Sequence, residues 1–216
     1  MKRLSPTLVA FVCLVALLGG GIFAYLNQGQ ATAAPTAQTQ ALHEHSQGDE
    51  HAPLTMIAYS SFTCPHCVDF NKEVMPKLVE KYVDTGKLRI IFRDFPSDAY
   101  ALRASILAQC LPSEQYLPFV HVLYNNFDSW ARNPKPLDVL MRYAQMAGLD
   151  EARAQACIDD NKLIDALIAS RQDGIARYKI EGTPTFIFND GAEKITGYRS
   201  FEDMVAVIDG LLAKKG

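Results

Sequence analysis

The stretch LTMIAYSSFTCPHC, residues 54–67, joins a short apolar run to a Cys-x-x-Cys pair. Its first six residues, LTMIAY, are typical of a buried strand because the run is short and largely apolar. A helical pattern then starts at Cys64, so that Cys64 and Cys67 fall in the first turn of the helix. A strand that leads directly into a helix at a pair of cysteines is the feature from which the rest of the domain can be predicted.

The helical pattern continues from Cys64 to about Thr85, with Pro76 as an internal kink and Gly86 as its end. Residues 88–93, LRIIFR, form a second apolar run that predicts another strand. Strand, helix and strand within about 40 residues indicate a βαβ unit with a right-handed crossover.

The remainder of the domain is predicted to be a helical insertion followed by a hairpin. Residues 98 to about 178 lack strand signals and carry helical ones, among them a helix start at Pro136. Residues 185–188 and 193–196 flank the turn residues Asn189-Asp190-Gly191, which are a strong hairpin signal. A last helix is expected from Ser200 to about residue 214. Residues 53–216 therefore form one α/β domain.

The chain begins with a segment typical of export. Lys2 and Arg3 precede an uncharged stretch of 19 residues, 8–26, which fits either a cleaved signal peptide or a retained membrane anchor. Either reading places the domain in the periplasm or on the outer face of the cytoplasmic membrane. All 24 acidic residues lie after residue 34, so the exported part is acidic and nothing in it suggests nucleic-acid binding.

Residues 27–52 are rich in Ala, Gln, Thr and Gly and are predicted to be a flexible linker. His43, His45 and His51 lie in this stretch among acidic residues. They leave two interpretations open, a weak metal site or, more simply, a solvated tether.

The position of Cys64 at a helix start favours its thiolate, because unpaired backbone N–H groups and the positive end of the helix dipole point at the sulfur. Pro65 suits the first helical position, and His66 offers a hydrogen-bond donor or a positive charge beside the thiolate. Cys67 is expected to lie beneath the turn and to form a disulfide with Cys64.

Two other interpretations of the pair are an inert disulfide and half of a zinc or copper site. Zinc would require two more ligands at suitable spacing, and Cys110 and Cys157 follow no paired ligand pattern. A redox-active pair without a bound metal is therefore the preferred hypothesis.

Gly182-Thr183-Pro184-Thr185 supplies a possible partner to the cysteines. A proline that opens a strand is usually an edge or turn residue. It can also be a cis proline whose preceding residue presents backbone groups to an extended peptide. The residues alone do not separate these alternatives.

Three segments together, FTCPHC at 62–67, RDFP at 93–96 and GTPTF at 182–186, resemble the DsbA-type branch of the thioredoxin superfamily. The resemblance covers residues 53–214 and includes the helical insertion of about 80 residues. It implies a thioredoxin-like fold in which Cys64 attacks, Cys67 resolves, and Thr183-Pro184 forms a cis-proline loop that binds substrate.

The resemblance also implies function. Such proteins oxidise exported proteins during folding, need no bound cofactor, and are reoxidised by a quinone-linked membrane partner of the DsbB type. A disulfide isomerase or reductase of the same fold, usually preceded by a dimerisation domain, is one alternative, and a tethered envelope binding protein is another. Because a linker precedes the domain here, we expect a monomeric oxidase.

Two features of the sequence complete the comparison with that branch. Many members place a buried acid six positions before the attacking cysteine, where this chain has Ala58, so water or another group would have to move the proton of Cys67. Some members carry a second disulfide in the insertion, which implies that Cys110 and Cys157 are paired rather than two buried free thiols.

Overall fold

The computed structural model describes residues 42–214, and a mixed five-stranded sheet forms its centre. The strands are β1 (His45–Gln47), β2 (Leu54–Ser60), β3 (Leu88–Asp94), β4 (Thr185–Phe188) and β5 (Glu193–Thr196). Their order across the sheet is β1-β3-β2-β4-β5. β2 and β3 are parallel, as expected for a βαβ unit, and the other neighbouring pairs are antiparallel.

The helices fall into three groups along the chain. Between β2 and β3 lie α1 (Pro65–Glu73), α2 (Met75–Leu78) and a π-helical turn (Val79–Val83). The insertion contains α3 (Ala99–Cys110), α4 (Ser113–Asn125), α5 (Phe127–Ala131), α6 (Pro136–Met146), α7 (Glu151–Ile158) and α8 (Asn161–Tyr178). The last helix, α9 (Phe201–Ala213), follows β5, and the hydroxyl of Ser200 caps its first turn.

This arrangement confirms the α/β fold with an inserted helical subdomain that the sequence predicted. The β4–β5 hairpin is also confirmed, with Phe188 paired to Glu193 across the turn. The single helix expected from Cys64 to Thr85 is instead divided at Val74, two residues before Pro76. Proline has no N–H to donate and its ring crowds the preceding turn, so the helix breaks there.

Two hydrophobic cores meet at α1. The helical core surrounds the fully buried Trp130, whose Nε1 donates to the carbonyl of Leu123 at 2.8 Å. The sheet core contains Phe70 of α1, which lies 4.4 Å from Phe186 of β4 between ring centroids. Cys67 belongs to the helical core. Packing on both sides therefore holds α1, and with it the two cysteines, in one orientation.

Part of the predicted flexible linker is ordered, which corrects that expectation. Residues 45–47 form β1 and pair with β3, and His45 is buried with its ring stacked 3.5 Å from that of Tyr116. Gly48 turns the chain with φ of 104°, and a side chain there would clash with the carbonyl of Leu88. Burial lowers the pKa of His45 to about 4, so the ring is neutral at physiological pH. Residues 27–41 lie outside the described part.

The predicted export segment, residues 1–26, also lies outside the described part of the chain. Within residues 42–214, no helix is both long and apolar enough to cross a membrane. The same residues contain no cluster of three or more His, Cys, Asp or Glu side chains that could hold a metal ion.

A disulfide joins two helices of the insertion. Cys110 at the end of α3 is bonded to Cys157 of α7, and 47 positions separate the two residues. Such a bond closes a long loop in the unfolded chain and so lowers the entropy that folding must overcome.

We expect the Cys110→Ala/Cys157→Ala variant to lose about 2–4 kcal/mol of unfolding free energy, because the unfolded chain regains that entropy. Guanidinium unfolding measures the difference between this variant and the protein that keeps Cys110 and Cys157. Both proteins carry Cys64→Ser and Cys67→Ser, so that the redox state of the Cys64–Cys67 pair does not affect the comparison. Equal unfolding free energies, or free thiols at 110 and 157 in a non-reduced digest, would contradict the pairing.

Candidate active site

Cys64 occupies the junction between β2 and α1. It is the N-cap residue of α1, and Pro65 is the first residue inside the helix. The N–H of Cys64 donates to the carbonyl of Ser61 at 3.2 Å, and its own carbonyl accepts from the N–H groups of Cys67 and Val68. The chain therefore turns tightly out of the sheet, and the Cys64 sulfur lies in the first turn as predicted.

The two sulfurs of the pair have different surroundings. Both are free thiols in this structure; Cys64 is partly exposed, whereas Cys67 is fully buried. A hydrogen bond from the Cys67 thiol is the main cause that lowers the pKa of Cys64 to about 5, with further help from Thr183 and the backbone of residues 66 and 67. Burial raises the pKa of Cys67 far above its usual range, and the neighbouring Cys64 adds to this effect.

The Thr183-Pro184 loop lies directly opposite Cys64. Its peptide bond is cis, and the Cys64 thiol donates to the carbonyl of Thr183 at 3.3 Å. The hydroxyl of Thr185 donates to the carbonyl of Gly182 at 2.7 Å and so braces the loop. Of the two interpretations of this proline, the structure therefore has the cis form, and the loop brings a backbone edge beside the exposed sulfur.

Pro65 and His66 occupy the exposed rim of the site. The sequence suggested that the His66 side chain could supply a donor or positive charge. In the structure, the backbone N–H of His66 is what contributes to the lowered pKa of Cys64.

A network of hydroxyl groups, which sequence reasoning missed, ties the cysteine loop to the insertion. The Ser61 and Ser97 hydroxyls are 2.8 Å apart, and Thr63 contacts both Ser97 and the carboxylate of Asp98. Asp98 also accepts from two backbone N–H groups at the start of α3. An acid just before a helical pattern is a recognised N-cap signal, so Asp98 could have been identified as a cap, but its contact with Thr63 could not.

A buried acid that the sequence did not assign to the site lies on β3, paired with the last residue of the strand that leads to the cysteines. Ala58 is buried on β2 and brings no carboxylate, whereas Asp94 at the end of β3 is buried and accepts from Gln109 at 3.1 Å. Burial raises the pKa of Asp94 to about 6.

A dithiol at a helix start, opposite a cis proline and on a sheet of this order, defines a thioredoxin-fold protein with a Cys-x-x-Cys site. The family model described as Thioredoxin matches residues 40–210, and the chain belongs to this family.

The crystal structure of α-DsbA1 from Wolbachia pipientis superposes with a TM-score of 0.73 and is 35% identical, over 80% of this chain and 92% of that one. Oxidised BdbD from Bacillus subtilis shares the fold, with a TM-score of 0.66 at 17% identity, over 79% of this chain and 93% of that one. The chain is therefore of the DsbA type within the thioredoxin family.

A protein of Rickettsia felis with the provisional name protein-disulfide oxidoreductase is 28% identical over 169 residues. The match covers 78% of this chain but 60% of the relative, so the chain spans about three fifths of that protein's length.

Titration of the reduced protein tests whether the Cys67 thiol lowers the pKa of Cys64. Thiolate absorbance near 240 nm should appear with a midpoint near pH 5. Cys67→Ala should raise this midpoint because the main hydrogen bond to the Cys64 sulfur is lost, whereas Cys67→Ser keeps a donor and should raise it less. A midpoint that is the same in both variants and in the unmodified protein would contradict the assigned cause.

The lowered pKa also predicts a pH-dependent stability of the reduced protein. An unfolded cysteine titrates near pH 8.5, so the stabilisation from the Cys64 thiolate is complete above that pH and is lost as pH falls through about 5. Unfolding of the reduced protein and of Cys64→Ala, compared between pH 4.5 and 8.5, measures it. The unfolding free energy of the reduced protein minus that of Cys64→Ala should increase with pH. A difference that stays constant would contradict a folded structure that stabilises the Cys64 thiolate.

Proposed function

We propose that this chain is an exported thiol–disulfide oxidoreductase that introduces disulfide bonds into exported proteins through Cys64 and Cys67. The observation that carries the proposal is the asymmetric pair, in which an exposed sulfur with a low pKa lies against the cis-proline loop and its partner is buried. Since a thiolate at pH 7 stabilises the dithiol, the disulfide form accepts electrons readily. DsbA proteins are the known example of this link between a low thiol pKa and an oxidising disulfide, and we infer for this chain that the potential is shifted in the same direction.

The proposed reaction begins with the Cys64–Cys67 disulfide. A substrate thiolate attacks the Cys64 sulfur, the bond to Cys67 breaks, and its electron pair goes to Cys67, which takes up a proton. A second substrate thiolate then attacks the substrate sulfur of the mixed disulfide and releases Cys64 as a thiolate. The substrate loses two electrons and gains a disulfide, and the site gains the electrons. The low pKa of Cys64 makes it a good leaving group in the second step.

In this mechanism the Thr183-Pro184 loop binds the substrate. The backbone of an extended peptide would lie along Thr183, close to the sulfur that exchanges, and an exposed peptide edge suits pairing of this kind. The proposal includes unfolded or folding exported proteins as substrates, a monomeric enzyme, and reoxidation by a quinone-linked membrane partner of the DsbB type. Residues 1–26 would direct the domain to the periplasm or to the outer face of the membrane.

Trapping of the mixed disulfide tests the roles of the two cysteines. Cys67→Ala should accumulate a covalent complex with an unfolded protein whose single cysteine is supplied as an activated mixed disulfide, because neither the site nor the test protein then has a second thiol to resolve the bond. Cys64→Ser should form no complex. Non-reducing electrophoresis followed by mass spectrometry locates the bond.

A reduced, unfolded protein with four cysteines, which can form both native and scrambled disulfides, separates oxidase from isomerase. The oxidised chain should convert reduced protein to its disulfide form stoichiometrically, and this conversion should exceed its effect on a scrambled disulfide form of the same protein. Equal activity of Cys64→Ser and the unmodified chain, or rearrangement of scrambled disulfides without net oxidation, would refute the proposed reaction.

A further inference from the structure

The buried sulfur of Cys67 presents a problem of proton transfer. Its pKa is raised far above the usual range, yet its sulfur must leave as an anion when substrate attacks and must lose a proton when the disulfide forms again. Ala58 supplies no acid, and Cys67 has no exposed surface. A proton must therefore cross the protein interior in each half-reaction.

The register of the sheet places Asp94 close to this region. Asp94 pairs with Ser60 across the parallel strands β2 and β3, two residues beyond the pair formed by Ala58 and Phe92. An acid on β3 thus reaches the same end of the sheet from which the cysteine loop begins.

A small cavity has both Asp94 and a tyrosine of the helical core in its wall. The cavity measures about 20 Å³, enough for one water molecule, and Ala58, Phe62, Asp94 and Tyr124 contribute to its wall. Tyr124 packs against Phe62 with ring centroids 5.4 Å apart, and it shares the helical core with Cys67. Burial is the main cause of the raised pKa of Tyr124, and interaction with the charges of Cys67 and Asp94 adds to it.

Asp94 also borders an open cleft on its other side. This cleft has a volume of about 380 Å³ and is lined in part by Glu44, Asp94, Gln109 and Asp173. Phe92, Arg93 and Asp94 lie in the walls of both spaces, and Asp94 is the acid among them.

The groups around Asp94 allow both protonation states. Burial raises its pKa to about 6, while hydrogen bonds with Gln109 and Ser105 of α3 and the charge of Arg93 act in the opposite direction. Tyr116 and Tyr124 face it from α4, and both phenols stay protonated at neutral pH because burial raises their pKa values. Besides Asp94 itself, the charged or titratable side chains that line the cleft are those of His43, Glu44, Arg93 and Asp173. Asp94 is therefore protonated below about pH 6 and ionised above it.

We propose that Asp94 exchanges the proton of Cys67 with solvent, acting through the Tyr124 phenol and the small cavity. The inference rests on the proposed function and names the group that takes the place of the acid missing at Ala58. Because Asp94 acts through Tyr124 and does not touch the sulfur, it is a positioning residue.

The proton balance follows for both directions. During substrate oxidation, Cys67 leaves as a thiolate and receives a proton, and Asp94 loses one, which is replaced from the cleft. During reoxidation through a mixed disulfide at Cys64, the Cys67 thiol loses its proton toward Asp94, its sulfur attacks Cys64, and the outgoing thiolate carries away the electron pair. No other oxidant or reductant is required beyond the disulfides that the reaction already uses.

Resolution of a Cys64–glutathione mixed disulfide by Cys67 tests this proposal, because that step requires the Cys67 proton to leave. In the full chain, the rate should rise with pH through about 6 and then level off. In Asp94→Asn the rate at pH 7 should be at least about 10-fold lower, since a positioned proton-transfer group typically contributes about 10²–10⁴-fold to a rate. The inflection near pH 6 should be absent. The pKa of Cys64 should not change.

Asp173→Asn is the matched control, because it makes the same chemical change in the exposed wall of the cleft and should leave the rate and its pH profile unchanged. Circular dichroism checks the fold of each variant. If Asp94→Asn does not fold, Tyr124→Phe carries the test, since it retains the ring and removes the phenol, and the same slowing is expected.

An Asp94→Asn protein that resolves the mixed disulfide at the normal rate with the normal pH profile would overturn the inference. A slowed variant in which the pKa of Cys64 shifts by an amount that accounts for the slowing would also overturn it, since that result indicates a structural effect. If the unmodified chain forms no mixed disulfide at Cys64, the proposed function itself fails. Formation of the glutathione mixed disulfide therefore tests the proposed function, and the rate of its resolution tests the function of Asp94.

Discussion

The hydrogen bond between the two thiols of the Cys-x-x-Cys pair is the interaction on which the rest of the site depends. It is possible because α1 begins at the end of β2, so that one sulfur caps the helix and the other lies beneath its first turn. The bond favours a thiolate at Cys64 and, together with burial, a thiol at Cys67. The same three-residue spacing in a solvated loop would give two similar cysteines, since neither burial nor the helix start would separate their pKa values.

The architecture holds this arrangement from several sides. α1 packs against the sheet through Phe70 and against the helical insertion through Cys67, so the two cores fix its rotation. The cis bond before Pro184 brings the carbonyl of Thr183 to the exposed sulfur, and the hydroxyls of Ser61, Thr63 and Ser97 connect the cysteine loop to the start of the insertion. The insertion thus helps to bury Cys67, and it contributes Tyr124 to the wall of the small cavity that Asp94 also lines.

Local sequence patterns predicted most of the fold and the exposed half of the site. The apolar runs of β2 and β3, the turn residues before β5 and the proline at the start of α6 each carry a signal within a few residues. β1 carried no such signal, because its short polar strand is stabilised by pairing with β3 and by the stacking of His45 on Tyr116. Its composition resembles a linker, and a contact with a residue 71 positions later cannot be read from it.

The buried half of the site was harder to predict for a related reason. Asp94 reaches the site through the register of two parallel strands, and Tyr124 through the packing of a helix in the insertion. The sequence shows that position 58 lacks an acid. Which other residue could take over its proposed function in proton transfer depends on tertiary contacts. The hydroxyl network is similar, since Asp98 has a visible local function as a helix cap while its contact with Thr63 joins separate elements.

The reduction potential of the Cys64–Cys67 pair tests the central claim most directly, because it combines the stabilised thiolate and the buried thiol in one number. Equilibration of the purified chain with defined ratios of reduced and oxidised glutathione at pH 7 measures it. The account predicts a potential well above that of thioredoxin, about −270 mV, with the dithiol form favoured. A potential at or below about −270 mV would contradict the conclusion that this site is built to oxidise its substrates.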